Sequence, residues 1–389
     1  MRRAGSPVYL DNNATAPLDP RALDEMLPYL RGEFGNPASA SHAYGWTAEA
    51  AVEVARERVA EAVGAAPDEV CFTSGATEAD NLALRGTLFA GAHLVTCATE
   101  HEAVLHTART LEGYGVSLTV LPVDENGCVS PEKLRKSLRN DTALVSVMLA
   151  NNETGVVQDI ASLAAVAAER GVPFHTDAAQ ALGRLPLDAS TTGLSMMSLS
   201  AHKAGGPKGV GALVVRRVPG LPRLAPLLTG GGQENGLRGG TLNVPGIVGF
   251  GKAAEIAAES LPEETERLRS LKLRLLEALT DGLSGPGVEV LANGDPSVTL
   301  PNTLSVRFGG LDAGKLLANC PQVAASTGSA CASRDPEPSH VLAAMGLDEK
   351  ETSSTVRLSL GRFTTEGDVE AAAEHLVQAA REVRQTNFR

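Results

Sequence analysis

The sequence has little basic charge, and this shortage excludes two classes of partner. Its 389 residues include 34 Lys and Arg against 46 Asp and Glu, which gives a formal net charge of −12. Broad binding to nucleic acid or to an anionic membrane surface requires basic surface. We therefore expect neither a nucleic-acid partner nor a membrane partner.

Long apolar segments and paired cysteines are also missing. No apolar stretch is long enough, and free enough of charge, to cross a bilayer, and the N-terminal arginines precede no secretory signal. The odd number of cysteines and the lack of a CxxC pair argue against a zinc ribbon or a disulfide framework. We expect a cytoplasmic protein with reduced thiols and no metal site. The cysteines are Cys71, Cys97, Cys128, Cys320 and Cys331.

Short apolar runs alternate with helical patterns through the first two thirds of the chain. Apolar strands separated by helices predict an α/β fold with a mainly parallel sheet covered on both faces. The runs 194–201 and 209–217 are joined by glycines, which predicts an antiparallel pair at the edge of that sheet. The earlier runs lie at 69–74, 93–99, 116–123 and 142–150.

The later part of the chain predicts a second, smaller domain. The stretch 218–245 is rich in Pro and Gly and is typical of a functional loop. One long helical pattern follows at 246–283. We expect a large domain over 21–255, a small α+β domain over 256–389, and an N-terminal segment, 1–20, that packs near the site or the small domain.

Lys203 follows a buried strand in the stretch LSMMSLSAHKAGGPKGVGALVV, residues 194–215. A lysine at such a place costs desolvation free energy unless it is neutral or paired. One interpretation is a surface lysine whose stem lies along the strand end. The other is a Schiff-base lysine, whose lowered pKa lets the amine attack a carbonyl group.

Three groups would accompany a lysine that binds pyridoxal 5′-phosphate (PLP): an anion site, a carboxylate for the pyridine nitrogen and a group over the ring. The glycine turn TSGATEADN (73–81) precedes a helix, where backbone N–H groups and the Thr77 hydroxyl can hold phosphate. Asp177 ends one apolar strand and His101 follows another. Each feature alone also fits an ordinary cap or loop residue. Together they place polar groups at four strand ends, where open α/β sheets bind ligands.

Two further kinds of side chain suit a reaction on a small amino acid. Cys331 lies among small residues in ASTGSACASRDPEPSHVL, as expected for a mobile nucleophile or for an ordinary surface cysteine. Arg357 and Arg362 lie in TVRLSLGRFTT, where a guanidinium either holds a substrate carboxylate or faces solvent. Cys71 and Cys97, in contrast, lie inside apolar strands and are predicted to be inert core residues.

Taken in order along the chain, these motifs resemble those of the cysteine desulfurases of the NifS/IscS type, which are class V aminotransferase-like PLP enzymes. The resemblance covers nearly the whole chain and implies the aspartate aminotransferase-like fold of PLP-dependent transferases. The motifs are YLDNNATAPLDP, FGNPAS, FTSGATEADNLA, TEHEAV, NNETGVVQDI, HTDAAQALG, SAHKAGGPKGVGAL, GGGQENGLRGGT, GSACAS and VRLSLGRFTTEGDVE.

The resemblance also implies a role for each matching residue. Lys203 would bind PLP covalently, His101 would stack on its ring, and Asp177 would pair with the pyridine nitrogen. Gln180 would contact the ring O3′ atom. Phosphate would be bound by Ala76, Thr77, Ser200 and His202, with Thr241 reaching in from the other subunit of a homodimer. The substrate would be held by Arg357, Asn152 and Asn13, and Asn152 would also contact the cofactor.

The implied reaction converts L-cysteine to L-alanine. Lys203 would act as the base, Cys331 would receive the sulfur as a persulfide, and a sulfur-acceptor protein would take it on to iron–sulfur cluster assembly or another thiolation pathway. A long mobile loop, about 326–338, would carry Cys331 between these positions.

Several alternatives remain open on the sequence. The chain also fits a selenocysteine lyase, an aminotransferase in which Cys331 is idle, or a catalytically silent relative that acts as a sulfur carrier or scaffold. An NAD-binding Rossmann enzyme is disfavoured because no GxGxxG motif follows a first strand. Gly205, Asn235 and Gly240 depart from the family pattern at positions that concern phosphate and dimer contacts.

Overall fold

A computed structural model describes residues 5–190, 194–218, 221–285, 287–327 and 338–387. The helices are α1 (Pro20–Arg31), α2 (Ala43–Ala62), α3 (Ala76–Thr87), α4 (Glu102–Glu112), α5 (Pro131–Ser137), α6 (Ile160–Ala168), α7 (Val244–Glu259), α8 (Leu261–Leu283), α9 (Ala313–Ala318), α10 (His340–Ala344), α11 (Glu349–Ser353) and α12 (Glu366–Asn387). The strands are β1 (Val8–Tyr9), β2 (Val70–Thr73), β3 (His93–Cys97), β4 (Ser117–Leu121), β5 (Thr142–Ser146), β6 (Phe174–Asp177), β7 (Met196–Ser200), β8 (Gly211–Val215), β9 (Val290–Ala292), β10 (Thr303–Phe308), β11 (Val323–Ala324), β12 (Ser326–Thr327) and β13 (Thr355–Ser359).

A seven-stranded sheet in the order β2-β8-β7-β6-β5-β3-β4 forms the centre of the molecule. All neighbouring pairs from β7 to β4 are parallel, and β8 is antiparallel to both β7 and β2. The prediction of a mainly parallel sheet with an antiparallel β7–β8 pair is confirmed. The predicted edge position is wrong, because β2 pairs with the free side of β8 through hydrogen bonds that no local sequence pattern reveals.

Both faces of the sheet are buried, as continuous apolar strands require. Cys71 packs with α3 and α4 on one face, and its neighbour Phe72 packs with α2 and α7 on the other. Successive side chains of a strand point to opposite faces, so one short run such as VCFT supplies both cores. Every residue of β2, β3, β6 and β7 is buried.

The single helix predicted at 246–283 is in fact two helices, which meet at Ser260. Ser260 ends α7 and begins α8, and Pro262 lies in the first turn of α8. Proline has no N–H to donate and its ring displaces the carbonyl four residues earlier, so the first helix cannot continue through it. Helix α7 packs in the core of the large sheet, and α8 packs in a separate core.

This separate core surrounds a four-stranded antiparallel sheet in the order β12-β13-β10-β9. The N-terminal segment belongs to it, because Val8 and Leu10 are part of the core and β1 pairs in parallel with β11. Asp11 continues the contact as a bridge to Ser359 at the end of β13. Residues 8–16 therefore run from the small sheet to the turn that follows β7 at the carboxyl edge of the large sheet. None of the helices described is both long and apolar enough to cross a membrane.

Candidate active site

Three predicted site residues meet at the carboxyl edge of the large sheet. Asp177 is the last residue of β6, His101 follows β3, and Lys203 lies three residues beyond the end of β7. The charges of Asp177 and Lys203 both act on the His101 imidazole. The structure therefore brings together a lysine, a carboxylate and an imidazole from three separate strand ends.

His101 is held as a neutral ring. It is the N-cap of α4, and its Nδ1 atom accepts a hydrogen bond of 3.1 Å from the backbone N–H of Ala103. Burial, and to a smaller extent the positive charge of Lys203, lower its pKa, although the Asp177 carboxylate opposes this. An uncharged imidazole suits stacking on a protonated pyridine ring, because it brings no second positive charge to that ring.

Asp177 is 5% exposed and rests on a layer of buried polar groups. Its Oδ1 atom accepts a 2.8 Å hydrogen bond from the Ala179 N–H. Beneath it, His175 bonds to the Ser146 and Ser198 hydroxyls at 2.9 Å each, and burial lowers the His175 pKa to about 4. Burial and the nearby charge of Asp177 raise the pKa of Asp80 well above its usual value. The Asp177 carboxylate is thus the anion suited to a protonated pyridine nitrogen.

The start of α3 is a site for an anion. Its N-cap is Gly75, which has no side chain to bond the first N–H groups, whereas most helices around the large sheet are capped by a side chain. The β8 backbone approaches closely: a Cβ atom on Gly211 would lie 2.7 Å from the Gly75 Cα and 2.5 Å from the Leu199 oxygen. Free N–H groups at a helix N-terminus favour phosphate. Ala76 and Thr77, predicted phosphate ligands, form the first turn of this helix.

A cavity of about 120 Å³ adjoins this turn. Thr73, Ser74, Arg238 and Thr241 line it, so the predicted residue Thr241 lies in its own chain next to the start of α3. Arg238 was not predicted; it binds Glu78 of α3 at 2.9 Å. The sequence feature that could have identified Arg238 as a site residue is its position in the long glycine-rich loop, three residues before Thr241.

A buried ion pair fastens this loop to the sheet. Glu234 receives two hydrogen bonds from Arg56, at 2.8 and 3.0 Å, and one of 2.6 Å from the Phe72 N–H. Glu234 and Asn235 both have positive φ, 49° and 54°. Such a backbone persists only where surrounding contacts hold it.

The remaining predicted phosphate ligands lie near Lys203. Ser200 is the last residue of β7 and is buried. His202 Nδ1 lies 3.1 Å from the Thr15 hydroxyl, and burial followed by the charge of Lys203 lowers its pKa to about 4. The N-terminal segment therefore covers the turn that carries Lys203.

Arg357 is a buried guanidinium at the seam of the two sheets. It is 3% exposed, pairs with Asp11 at 2.7 Å and donates to the Asn152 carbonyl at 3.0 Å. Its Nε atom is buried and has no hydrogen-bond partner among the described residues. A cation with an unsatisfied donor suits a carboxylate ligand. Arg362, the other predicted candidate, binds Asp19 at 3.1 Å and the Ser260 hydroxyl instead.

The predicted residue Asn13 is fully engaged in the scaffold. Its Nδ2 atom donates to the Asn152 carbonyl at 3.1 Å and to the Thr303 hydroxyl at 2.9 Å, and its Oδ1 atom accepts from Asn302. Its backbone carbonyl accepts a 3.0 Å hydrogen bond from Gln180. Asn13 thus links the predicted residues Asn152 and Gln180.

The three positions that depart from the family pattern share a backbone property. Gly205, Asn235 and Gly240 have φ values of 84°, 54° and 103°. Glycine adopts this region freely, and asparagine tolerates it better than most residues. The residue type at each of these three positions is therefore one that tolerates the positive φ of the turn in which it lies.

The thiols of the described residues are not placed for catalysis. Cys71 and Cys97 are buried, as predicted, and burial raises the pKa of both, for Cys71 to about 12. Cys320 is buried as well, and Cys128 is half-buried. Cys331 and most of its predicted loop lie outside the described residues. No cluster of metal-ligating side chains occurs in the part of the chain that the structure describes.

These groups fit PLP. An uncapped helix start next to a hydroxyl-lined cavity suits the phosphate, Asp177 suits the pyridine nitrogen, and Lys203 lies where a Schiff base can form. Fold and site together define a PLP-dependent enzyme with the aspartate aminotransferase-like fold.

Comparisons with known proteins identify the family. A profile of the family described as aminotransferase class-V matches residues 8–372. The cysteine desulfurase IscS of Anaeromyxobacter sp. (strain Fw109-5) is 49% identical over 383 residues, covering 97% of this chain and 94% of that relative. The cysteine desulfurase of Homo sapiens is 45% identical, covering 97% of this chain and 83% of that relative. A solved NifS-like protein matches with a TM-score of 0.89 at 36% identity, covering 97% of this chain and 100% of that chain.

The chain belongs to the aminotransferase class-V family and, within it, to the cysteine desulfurases of the NifS/IscS type. The predicted resemblance, fold class, enzyme class and PLP cofactor are confirmed.

Proposed function

We propose that this protein converts L-cysteine to L-alanine and that Cys331 receives the sulfur as a persulfide. The observation that carries the proposal is the convergence of Lys203, Asp177 and His101 at the carboxyl edge of the sheet, in a chain of the cysteine desulfurase family. Bound PLP supplies an electron sink for the carbanion that forms when the substrate loses its Cα proton.

Lys203 and Asp177 have complementary tasks in this reaction. The Lys203 amine would hold the cofactor and would take up the Cα proton of the substrate as a general base. The Asp177 carboxylate, which is fixed by the Ala179 N–H, would pair with a protonated pyridine nitrogen. His101, neutral and fixed through its Nδ1 atom, covers the ring and assists proton transfer.

Arg357 is the group proposed to hold the substrate carboxylate. Its unsatisfied buried Nε donor and its position beside Asn152 support this assignment. Asn13, whose amide is engaged by Asn152, Thr303 and Asn302, supports the site by positioning the Asn152 backbone. The segment 10–13 thereby joins the substrate side of the site to the cofactor side.

The assembly is proposed to be a cytoplasmic homodimer that delivers sulfur to an acceptor protein. Thr241 lies beside the start of α3 in its own chain, in an exposed loop held by Arg56 and Glu78. We propose that the homodimer brings this exposed loop against the other subunit, so that Thr241 completes the phosphate site of that subunit rather than its own. Iron–sulfur cluster assembly or another thiolation pathway is proposed to receive the sulfur. We further propose a division into residues 1–20, a large domain of 21–255 and a small domain of 256–389.

A test of this function measures both products of one reaction. Purified protein loaded with PLP is given L-cysteine and dithiothreitol, and sulfide and alanine are quantified. We expect equal amounts of the two products, no turnover in Lys203→Ala, and loss of sulfide release in Cys331→Ser with PLP still bound. Cys128→Ser is the matched control and should behave as wild type.

Two outcomes would contradict the proposal. Sulfide release that survives Cys331→Ser excludes the persulfide step. Transfer of the amino group to a keto acid, without sulfide, assigns the protein to the aminotransferases.

A further inference from the structure

Arg184 is a buried cation whose contacts are all oxygen atoms of neutral groups. It is 6% exposed. Its Nη1 atom donates to the carbonyl and to the side-chain oxygen of Gln180, and its Nη2 atom donates to the carbonyls of Asn12 and Lys203 at 3.2 and 3.3 Å. Within the described residues no carboxylate forms an ion pair with it. Burial, and then the charge of Arg357, lower its pKa to about 10.

This one guanidinium joins three distant parts of the site. Asn12 precedes the scaffold residue Asn13, Gln180 follows β6, and Lys203 follows β7. A planar guanidinium with five N–H groups can reach four acceptors on three segments, whereas an ammonium has three donors at one point. A buried charge is expensive, so a neutral side chain would occupy this position if packing alone were required.

Arg184 also decides which way the Gln180 amide faces. A guanidinium only donates hydrogen bonds, so the atom turned toward it must be the Gln180 oxygen. The amide nitrogen then faces the opposite way, where it donates to the Asn13 carbonyl at 3.0 Å and has a second hydrogen. Gln180 can donate to a phenolate oxygen of the cofactor only in this orientation.

Resting on the proposed function, we propose that Arg184 is a positioning residue: it keeps the Gln180 amide nitrogen turned toward the cofactor, strengthens that donor with its charge, and fixes the Lys203 backbone. A donor whose own oxygen is bonded to a cation is polarised and binds an anionic oxygen more tightly. A stronger hydrogen bond from the Gln180 amide to the anionic oxygen favours the deprotonated form of that oxygen and so lowers the pKa of the bound cofactor.

Other charged groups surround this network. The field of Arg357 reaches Arg184, and that of Arg184 reaches His202. A small cavity, about 50 Å³, lies between Arg184 and Lys203 and is also lined by Asp19, Glu264 and Arg362. All of these groups remain in the variants proposed below, so a change in the pH response reports on residues 180 and 184.

The test uses two variants. Arg184→Met removes the positive charge, and Arg184→Lys keeps the charge but lacks the planar guanidinium that reaches several acceptors. PLP binding to the apoprotein is titrated, and the visible absorption band of the bound cofactor is followed against pH. We expect Arg184→Met to weaken PLP binding about tenfold and to raise the pKa of the band by roughly one unit, with Arg184→Lys between it and wild type. In a Gln180→Ala background, Arg184→Met should add little further shift.

Lys272→Met is the matched control. Lys272 is another buried cation bonded to neutral oxygens, those of Pro296, Thr299 and Leu300. Its removal should lower the melting temperature and leave the pKa of the band unchanged. If Arg184→Met does not fold, Arg184→Gln, which is neutral and still donates hydrogen bonds, replaces it.

The inference is overturned if Arg184→Met lowers the melting temperature but leaves the band and the PLP affinity as in Lys272→Met. It is also overturned if the shift persists in full in the Gln180→Ala background. These results differ from a failure of the proposed function, in which the wild-type protein itself would bind no PLP or release no sulfide.

Discussion

Arg357 combines two contacts that anchor it in the fold with one free donor, which we propose binds the substrate. Its Nη2 atom is paired with Asp11 and its Nη1 atom with the Asn152 carbonyl, so two of its three nitrogen atoms are anchored. The third, Nε, is buried without a partner. Anchoring fixes the direction of the remaining donor before any ligand arrives, which reduces the entropy lost on binding.

Replacing Arg357 should therefore impair substrate binding. We expect Arg357→Ala to raise the KM for L-cysteine about 10- to 100-fold, because a charge-assisted hydrogen bond is worth about 1.5–3 kcal/mol. Steady-state sulfide release at varied cysteine concentration measures this. The control is Arg307→Ala on the adjacent strand β10, whose arginine pairs with Glu351; its KM should stay at the wild-type value. An unchanged KM in Arg357→Ala would mean that another residue holds the carboxylate.

At the scale of residues, candidate site residues could be predicted from the sequence where a polar side chain lies at the end of a buried strand. Lys203, Asp177 and His101 could be recognised in the sequence because each places a polar side chain at the end of an apolar run. Arg184 and Glu234 were missed because each has a partner far along the chain: Asn12 is 172 positions from Arg184, and Arg56 is 178 positions from Glu234. A bond between residues so far apart leaves no periodicity to detect.

At the scale of elements, the start of α3 depends on its neighbour β8. Gly75 has φ of 153°, outside the range that side chains favour, and Gly211 touches its backbone. Gly211, which lacks a Cβ atom, thus lets the strand approach the helix start closely, and Gly75 supplies the backbone conformation of that start. The first turn of α3 is thereby held next to Thr73 and Ser74, which line the cavity.

Gly211→Ala should separate these two elements. Its Cβ atom would lie 2.7 Å from the Gly75 Cα and 2.5 Å from the Leu199 oxygen of β7, so β8 must shift relative to α3 and β7, at a cost of about 1–3 kcal/mol. We expect a lower melting temperature and PLP binding weakened roughly tenfold, measured by titration of the apoprotein. Gly32→Ala, where an added Cβ meets no atom within 4 Å, is the control. Unaltered PLP affinity in Gly211→Ala would show that this contact does not shape the phosphate site.

Helices and strands could be predicted where the hydrophobic periodicity and the segment length indicated the same element. They were harder to predict where a single residue breaks a helical pattern. The order of strands and helices along the large sheet follows from apolar runs separated by amphipathic ones. The break at Ser260 depends on one proline within an otherwise continuous helical pattern. The position of β2 outside β8 depends on pairing between strands about 140 residues apart, which turn chemistry does not encode.

At the scale of the whole molecule, buried histidines make stability depend on pH. His175 is fully buried with a pKa of about 4, compared with about 6.5 in an unfolded chain. Between these pH values His175 is protonated in the unfolded chain and remains neutral in the folded protein. The free energy of unfolding should therefore fall as pH falls from about 6.5 toward 4. His202, also with a pKa of about 4, acts in the same direction.

His175→Gln should reduce this acid sensitivity. The loss of unfolding free energy between pH 7 and pH 5 should be smaller than in wild type by about 1–2 kcal/mol, since one pKa unit corresponds to 1.36 kcal/mol. Urea unfolding of the apoprotein at both pH values measures it. His106→Gln, on the exposed side of α4, is the control because water reaches this side chain in both states. The same pH dependence in wild type and His175→Gln would contradict the assignment.

The ion pair between Asp11 and Arg357 has a consequence for how the protein is made. Its two partners are 346 positions apart. Strand β1 likewise pairs with β11, which is synthesised much later. During translation the early strands leave the ribosome long before β13 exists, and domains generally fold as units in order of their synthesis. The Arg357 side of the site can therefore form only after residue 357 has been synthesised. The proposed cofactor ligands all lie within residues 76–241 and can assemble earlier. Polypeptides truncated before residue 357 would thus retain the cofactor side of the site but lack the arginine proposed to hold the substrate.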